Sequence, residues 1–129
     1  MDIMVFAPCE KVVKRRGGWV DLLGFGIQNI KLRRPEGQIE GQALIDVYCL
    51  LRFFPQDTGR KYLQIALISP DGETLAKSNI REFDAPGSQS IVNITGEFPL
   101  RTRVSGAHSL DLVINERTEA SWTMGIELL

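Results

Sequence analysis

Apolar and polar residues alternate along most of this chain, and the alternation is cleanest at its C-terminal end. Ala120, Trp122, Met124, Ile126 and Leu128 share one parity, with Ser121, Thr123, Gly125 and Glu127 between them. Just before, Leu110, Leu112 and Ile114 alternate with Ser109, Asp111 and Asn115. A β-strand points successive side chains to opposite faces, so a period of two gives one buried face and one wetter face. No stretch carries the 3.6-residue period of a long helix, and the chain reads as all-β.

Turn chemistry divides that pattern into about eight strands. The first spans about Ile3–Lys14 and ends at Arg15-Arg16-Gly17-Gly18, where paired glycines suit positive φ. The second covers about Trp19–Leu32; its parity shifts near Gly24 and Gly26, which suggests a bulge. The third, about Gln42–Phe54, sets Ala43, Ile45, Val47, Cys49, Leu51 and Phe53 on one face. The fourth, about Lys61–Ser69, turns Leu63, Ile65 and Leu67 inward and ends at Ser69-Pro70-Asp71-Gly72, a strong hairpin signal. The fifth, about Glu73–Phe83, has poorer parity and reads as an edge. The sixth, about Ser90–Phe98, alternates Val92, Ile94, Gly96 and Phe98. The seventh runs about Ala107–Asn115, and a turn at Glu116-Arg117-Thr118 leads to the eighth. Short strands at this spacing predict one antiparallel β-sandwich domain over 1–129, immunoglobulin-like or related in topology.

At 129 residues, with 43% of them hydrophobic and 24% charged, the chain is long enough for one core without staples and is not disordered in composition. Its formal net charge of −1 provides no global field to recruit nucleic acid or anionic membrane. The opening residues lack a basic segment and a long apolar run, and no stretch reaches the roughly 20 apolar residues of a membrane helix. The expectation is a cytoplasmic protein with Cys9 and Cys49 reduced.

Several core and turn residues carry a resemblance. Cys9-Glu10-Lys11-Val12-Val13, the stretch Gly18 to Gly26 with Ile30, Pro35, Gly59, Asp71-Gly72, and Gly106 ahead of Leu110, Leu112 and Ile114 resemble a bacterial family of short uncharacterised β-sandwich proteins. The resemblance implies a β-sandwich of bacterial origin and carries over no catalytic residue.

The chemistry-bearing residues are few. One histidine and two cysteines, with no C-x-x-C and no H-x-H, are a poor start for a closed zinc site, and Cys9 and Cys49 read as small core hydrophobes. The aspartates are scattered, as a calcium loop's would not be. His108 shares the parity of Leu110, Leu112 and Ile114, so it points inward as a structural histidine, and no G-x-S-x-G elbow accompanies it. Gly24-Phe25-Gly26 is a lone G-x-G without a helix to follow, so no nucleotide cofactor, and no cofactor at all, is expected. Lys11, Lys14, Arg15 and Arg16 gather at the first turn and Arg33-Arg34 form a second pair, a pattern that solvated turns share with phosphate sites.

Apolar residues with outward parity remain. Leu44, Tyr48 and Leu50 in the third strand, Tyr62, Ala66 and Ile68 in the fourth, and Met4 and Phe6 in the first would form one apolar patch if these strands were neighbours. The function this favours is a non-catalytic protein-binding or assembly module that binds itself or another protein through Leu44, Tyr48, Leu50, Tyr62, Ala66 and Ile68. The alternatives are a small-ligand or carbohydrate receptor using loop-end aromatics such as Trp19 and Phe54, and an enzyme with His108 as base.

Overall fold

A computed structural model describes every residue from Met1 to Leu129. The chain is all-β: eleven strands, two single 3-10 turns and no α-helix. No helix is long and apolar enough to cross a membrane.

Three sheets are present. β5 (Gly41–Phe53) lies at the centre of a three-stranded sheet, between β1 (Asp2–Cys9) and β9 (Ser90–Thr102). A six-stranded sheet runs β4 (Asn29–Leu32), β11 (Arg117–Leu128), β10 (Gly106–Ile114), β6 (Gly59–Ile68) and β7 (Thr74–Lys77), with β8 (Arg81–Ala85) also paired to β6. β2 (Lys11–Lys14) and β3 (Val20–Leu23) form a separate hairpin. One cluster of 19 buried residues takes side chains from both larger sheets, including Ile45, Leu51 and Phe98 from one and Leu67, Leu112 and Met124 from the other. The sheets approach each other at both sides, β1 near β11 and β7 near β9.

Eleven strands replace the eight expected because three of the expected strands are broken, each for a local reason. The first bends at Glu10, beyond which the chain leaves β5; the buried Asp46 carboxylate accepts the Val12 amide at 2.7 Å and the Glu10 amide donates to the Leu23 carbonyl. The second breaks at Gly24 and Gly26, whose φ of 61° and 76° no strand residue adopts, so the glycine pair makes a turn rather than a bulge. The fifth breaks at Ser78, whose hydroxyl accepts the Ile65 amide at 2.8 Å while the Gln64 side-chain amide donates to its carbonyl at 2.8 Å. Those bonds divert the chain from the ladder, and it rejoins β6 only at Arg81. Both halves lie at a sheet edge, as poor parity predicted.

A second departure is the pair β4 and β11, which runs parallel, so the six-stranded sheet is mixed rather than antiparallel. The Ser69–Gly72 turn forms as expected, whereas Asp84 and Ala85, at the start of the loop that turn chemistry suggests at Asp84-Ala85-Pro86-Gly87, pair with β6 inside β8, and Pro99 to Thr102, at the start of the connection after the sixth strand, extend β9. The Gly72 amide donates to the Ser69 carbonyl at 2.9 Å, with Gly72 at φ 90°. The last hairpin turns one residue earlier than expected, at Asn115 and Glu116, both at positive φ.

Candidate functional site

The inward face of β9 has a gap. Even-numbered residues of this strand face the core, and Ile94, Phe98 and Leu100 are buried there. Gly96 shares their register but is exposed, because it brings no side chain to the interior. It stands opposite Val47 on β5. A Cβ built at Gly96 would meet nothing closer than Nη2 of Arg81, at 3.9 Å. The gap opens a cleft of about 490 Å³ into the space between the sheets. Val47 and Cys49 of β5, Leu63 and Ile65 of β6, and Ile94 and Phe98 of β9 line its apolar floor, and the Ser78–Glu82 segment forms the opposite lip.

That lip is held at both ends. Ser78 is bonded to β6 through its hydroxyl and amide, both to the Ile65 backbone, and through its carbonyl to the Gln64 side chain. Phe83, one residue past the lip, packs its ring against Phe53 of the opposite sheet with centroids 5.7 Å apart. Between these anchors Arg81 leans over Gly96, and Ile80 is 59% exposed.

The side of the β9 backbone turned away from β5 is unpaired. All of the strand's ladder partners are on β5, and none of the backbone hydrogen bonds outside the ladders involves residues 90–102. Each antiparallel strand points about half of its amides and carbonyls away from any one neighbour, so a free edge offers a row of donors and acceptors. The C-terminal half of this edge is blunted by Pro99, which has no amide to give, and by Arg101 and Arg103. From Ser90 to Gly96 it carries no charged residue and no proline.

Electrostatics vary sharply around the cleft. The Cys49 thiol on its floor is pushed up to about 12 by burial, with the Arg81 cation pulling the other way. At the mouth, Lys14, Trp19, Arg81, Asn93 and Thr95 share a shallow concavity, and Lys11, Lys14, Asp46 and Glu97 share the next.

The six residues expected to form one patch do not share a face. β5 and β6 belong to different sheets and do not pair, so Leu44, Tyr48 and Leu50 are separated from Tyr62, Ala66 and Ile68. Leu44 is 60% exposed, but Tyr48 is only 6% exposed, on the face where the β2–β3 hairpin docks through Asp46. Leu50 and Ile68 are partly covered and Tyr62 is exposed. Ala66 is buried between Asp111 of β10 and Lys77 of β7. Of the two first-strand residues, Met4 is exposed while Phe6 joins the core.

His108 is 1% exposed. Its Nδ1 lies 2.9 Å from the Gly106 carbonyl, which can only accept, so Nδ1 carries a proton; its Nε2 lies 2.9 Å from the Thr102 hydroxyl. Both ring nitrogens are thus engaged inside the fold. Cys9 and Cys49 are free thiols on adjacent strands, and no group of three or more His, Cys, Asp and Glu side chains converges as metal ligands would. Trp19 is exposed at the cleft mouth, whereas Phe54 lies under the Arg52 guanidinium, 5.6 Å from the ring centroid.

The sequence reading missed the β9 edge and its gap. The available signal was Gly96 itself, a glycine in the inward register between Ile94 and Phe98, where a strand needs a side chain to fill its core.

No protein-family model matches this chain, and no curated protein does.

Proposed function

We propose that this chain is a non-catalytic protein-binding module, a two-layered β-sandwich that takes up an extended segment of another polypeptide as an added strand along β9. The observation that carries this reading is the unpaired edge from Ser90 to Gly96, set beside an apolar cleft that opens at one missing side chain. Strand addition satisfies the free amides and carbonyls through main-chain bonds, and alternate side chains of the guest find pockets. An extended backbone is the guest that fits a row of alternating donors and acceptors. The cleft receives one inward side chain where Gly96 has none.

The engagement of His108 within the core supports a binding role over catalysis. Two buried free thiols suit a reducing compartment, and we place the protein in the bacterial cytoplasm, in keeping with the resemblance of its turn and core residues.

The test is a random dodecapeptide display library panned on the wild-type protein and on Gly96→Val, followed by amide hydrogen exchange with the best peptide bound. The expected result is a set of peptides that bind wild type, fail on Gly96→Val and protect amides within Ser90–Gly96. Peptides that bind both proteins equally, or protect a different surface, refute strand addition at β9.

A further inference from the structure

Resting on strand addition at β9, we infer that the guest is an acidic segment: an aliphatic side chain enters the gap at Gly96, and carboxylates on its neighbours meet Arg81 and Lys14. The aliphatic residue follows from the walls. Val47, Leu63, Ile65, Ile94 and Phe98 form the floor of the gap, so the part of a side chain that reaches past Arg81 at its rim meets apolar walls, and a polar end there would lose its water without gaining a partner.

The carboxylates follow from the charges at the mouth. Residues flanking the inserted one point to the opposite face of the added strand. On that face β9 presents Thr95 and Glu97, and the β2–β3 hairpin brings Lys11 and Lys14 beside them. The ionic partners here are unevenly distributed. Arg15 pairs with Asp21, Glu82 pairs with Arg60, and Asp46 is buried under the Val12 amide. Lys11, Lys14 and Arg81 have no ionic partner, and the carboxylates without one among them are the exposed Glu97 and the buried Asp46. That leaves three cations without an ionic partner against two such carboxylates, one of them the buried Asp46, on a chain whose formal net charge is −1. The positive field is local to the mouth, and a guest carrying carboxylates is steered to it while a basic one is repelled.

The same charges disfavour a second copy of this chain as the guest. Two β9 edges paired about Gly96 would bring the Arg81 and Lys14 groups of both copies together, and like charges set face to face select against that pairing.

The experiment takes the peptides enriched on wild type and measures their affinity by fluorescence polarisation for wild type and for the double variant Arg81→Glu, Lys14→Glu, at 50 and 500 mM NaCl. Both residues are surface groups, and an unchanged melting temperature verifies the fold of the double variant. The expected result is a consensus of one aliphatic residue flanked by Asp or Glu, with affinity lowered about tenfold by the double reversal and several-fold by salt. Enriched peptides without acidic residues, or with affinity indifferent to the reversal, overturn the acidic guest while leaving strand addition standing. Failure of every peptide to distinguish wild type from Gly96→Val overturns both. Sedimentation of the free protein as a dimer that Gly96→Val converts to monomer identifies the guest as a second copy and also overturns the inference.

Discussion

Replacing Gly96 with alanine should stabilise the protein, and the size of the effect follows from the space around it. Gly96 lies within a strand and its φ is not in the left-handed region. A Cβ there has its nearest neighbour at 3.9 Å, the end of the flexible Arg81 side chain. Glycine in a strand interior costs roughly 0.5–1 kcal/mol relative to alanine, through the freedom it retains when unfolded. For 129 residues, at about 2.1 cal/mol/K per residue, the unfolding entropy is about 0.27 kcal/mol/K, so Tm should rise by about 2–4 °C. Gly41 is the control. A Cβ there would collide with Leu128 Cδ2 and stand 2.9 Å from Leu32 Cβ, and Leu32 is wholly buried. Gly41→Ala therefore overpacks a filled site at about 1–3 kcal/mol, and Tm should fall by about 4–11 °C. Differential scanning calorimetry of the two variants beside wild type makes the comparison. If Gly96→Ala falls as far as Gly41→Ala, the gap is not open, and the proposal of strand addition beside it fails.

Three further outcomes are expected. Burial raises both thiols, Cys49 to about 12 and Cys9 with help from the Asp46 charge, so neither should react with Ellman's reagent at pH 8 until guanidinium unfolds the chain; rapid labelling of the native protein contradicts this. The Asp71 carboxyl is held below the usual carboxylate range by the Ser69 hydroxyl and the Glu73 amide, so its contribution is present above about pH 4 and lost as pH falls through its folded value. Asp71→Asn should accordingly flatten the acid limb of stability against pH, and an unaltered limb counts against that assignment. Asp46→Ala removes the acceptor of the Val12 amide, at a cost of about 1–2 kcal/mol, and should speed amide exchange in β2 and β3; exchange unchanged from wild type shows that the hairpin is held by other contacts.

Parity along the chain reports which face a side chain occupies, and it did so well for the core. Ile45, Val47, Cys49, Leu51 and Phe53 are all buried, as are Leu63, Ile65 and Leu67, and His108 sits inside beside Leu110. Strand order is a different kind of information. Tyr48 and Tyr62 have equivalent outward parity, yet one lies on the three-stranded sheet under the β2–β3 hairpin and the other stands in solvent on the six-stranded sheet. What separates them is non-local: a carboxylate on β5 capturing an amide 34 residues earlier in the chain. The parallel β4–β11 pair is illegible for the same reason, since four residues of alternating character read alike in either direction. The breaks at Glu10 and Ser78 depend on side-chain bonds to distant backbone, which no local pattern announces.

The free edge of β9 was hidden by its own ordinariness. β9 has the length and alternation of an interior strand, and Pro99 alone hints that one of its sides pairs with nothing. Edge character belongs to the order of strands, and alternation contains no term for it. Gly96 is where local sequence and global order meet. Read alone, it weakens a strand. Placed on a free edge, between two buried apolar residues and under an unpaired arginine, it becomes an opening of fixed position into the core. A valine there would fill the gap, favour the strand and raise stability. A strand that forgoes this gain at an unpaired, uncharged stretch of edge keeps an open space, and on that space the proposed strand addition rests.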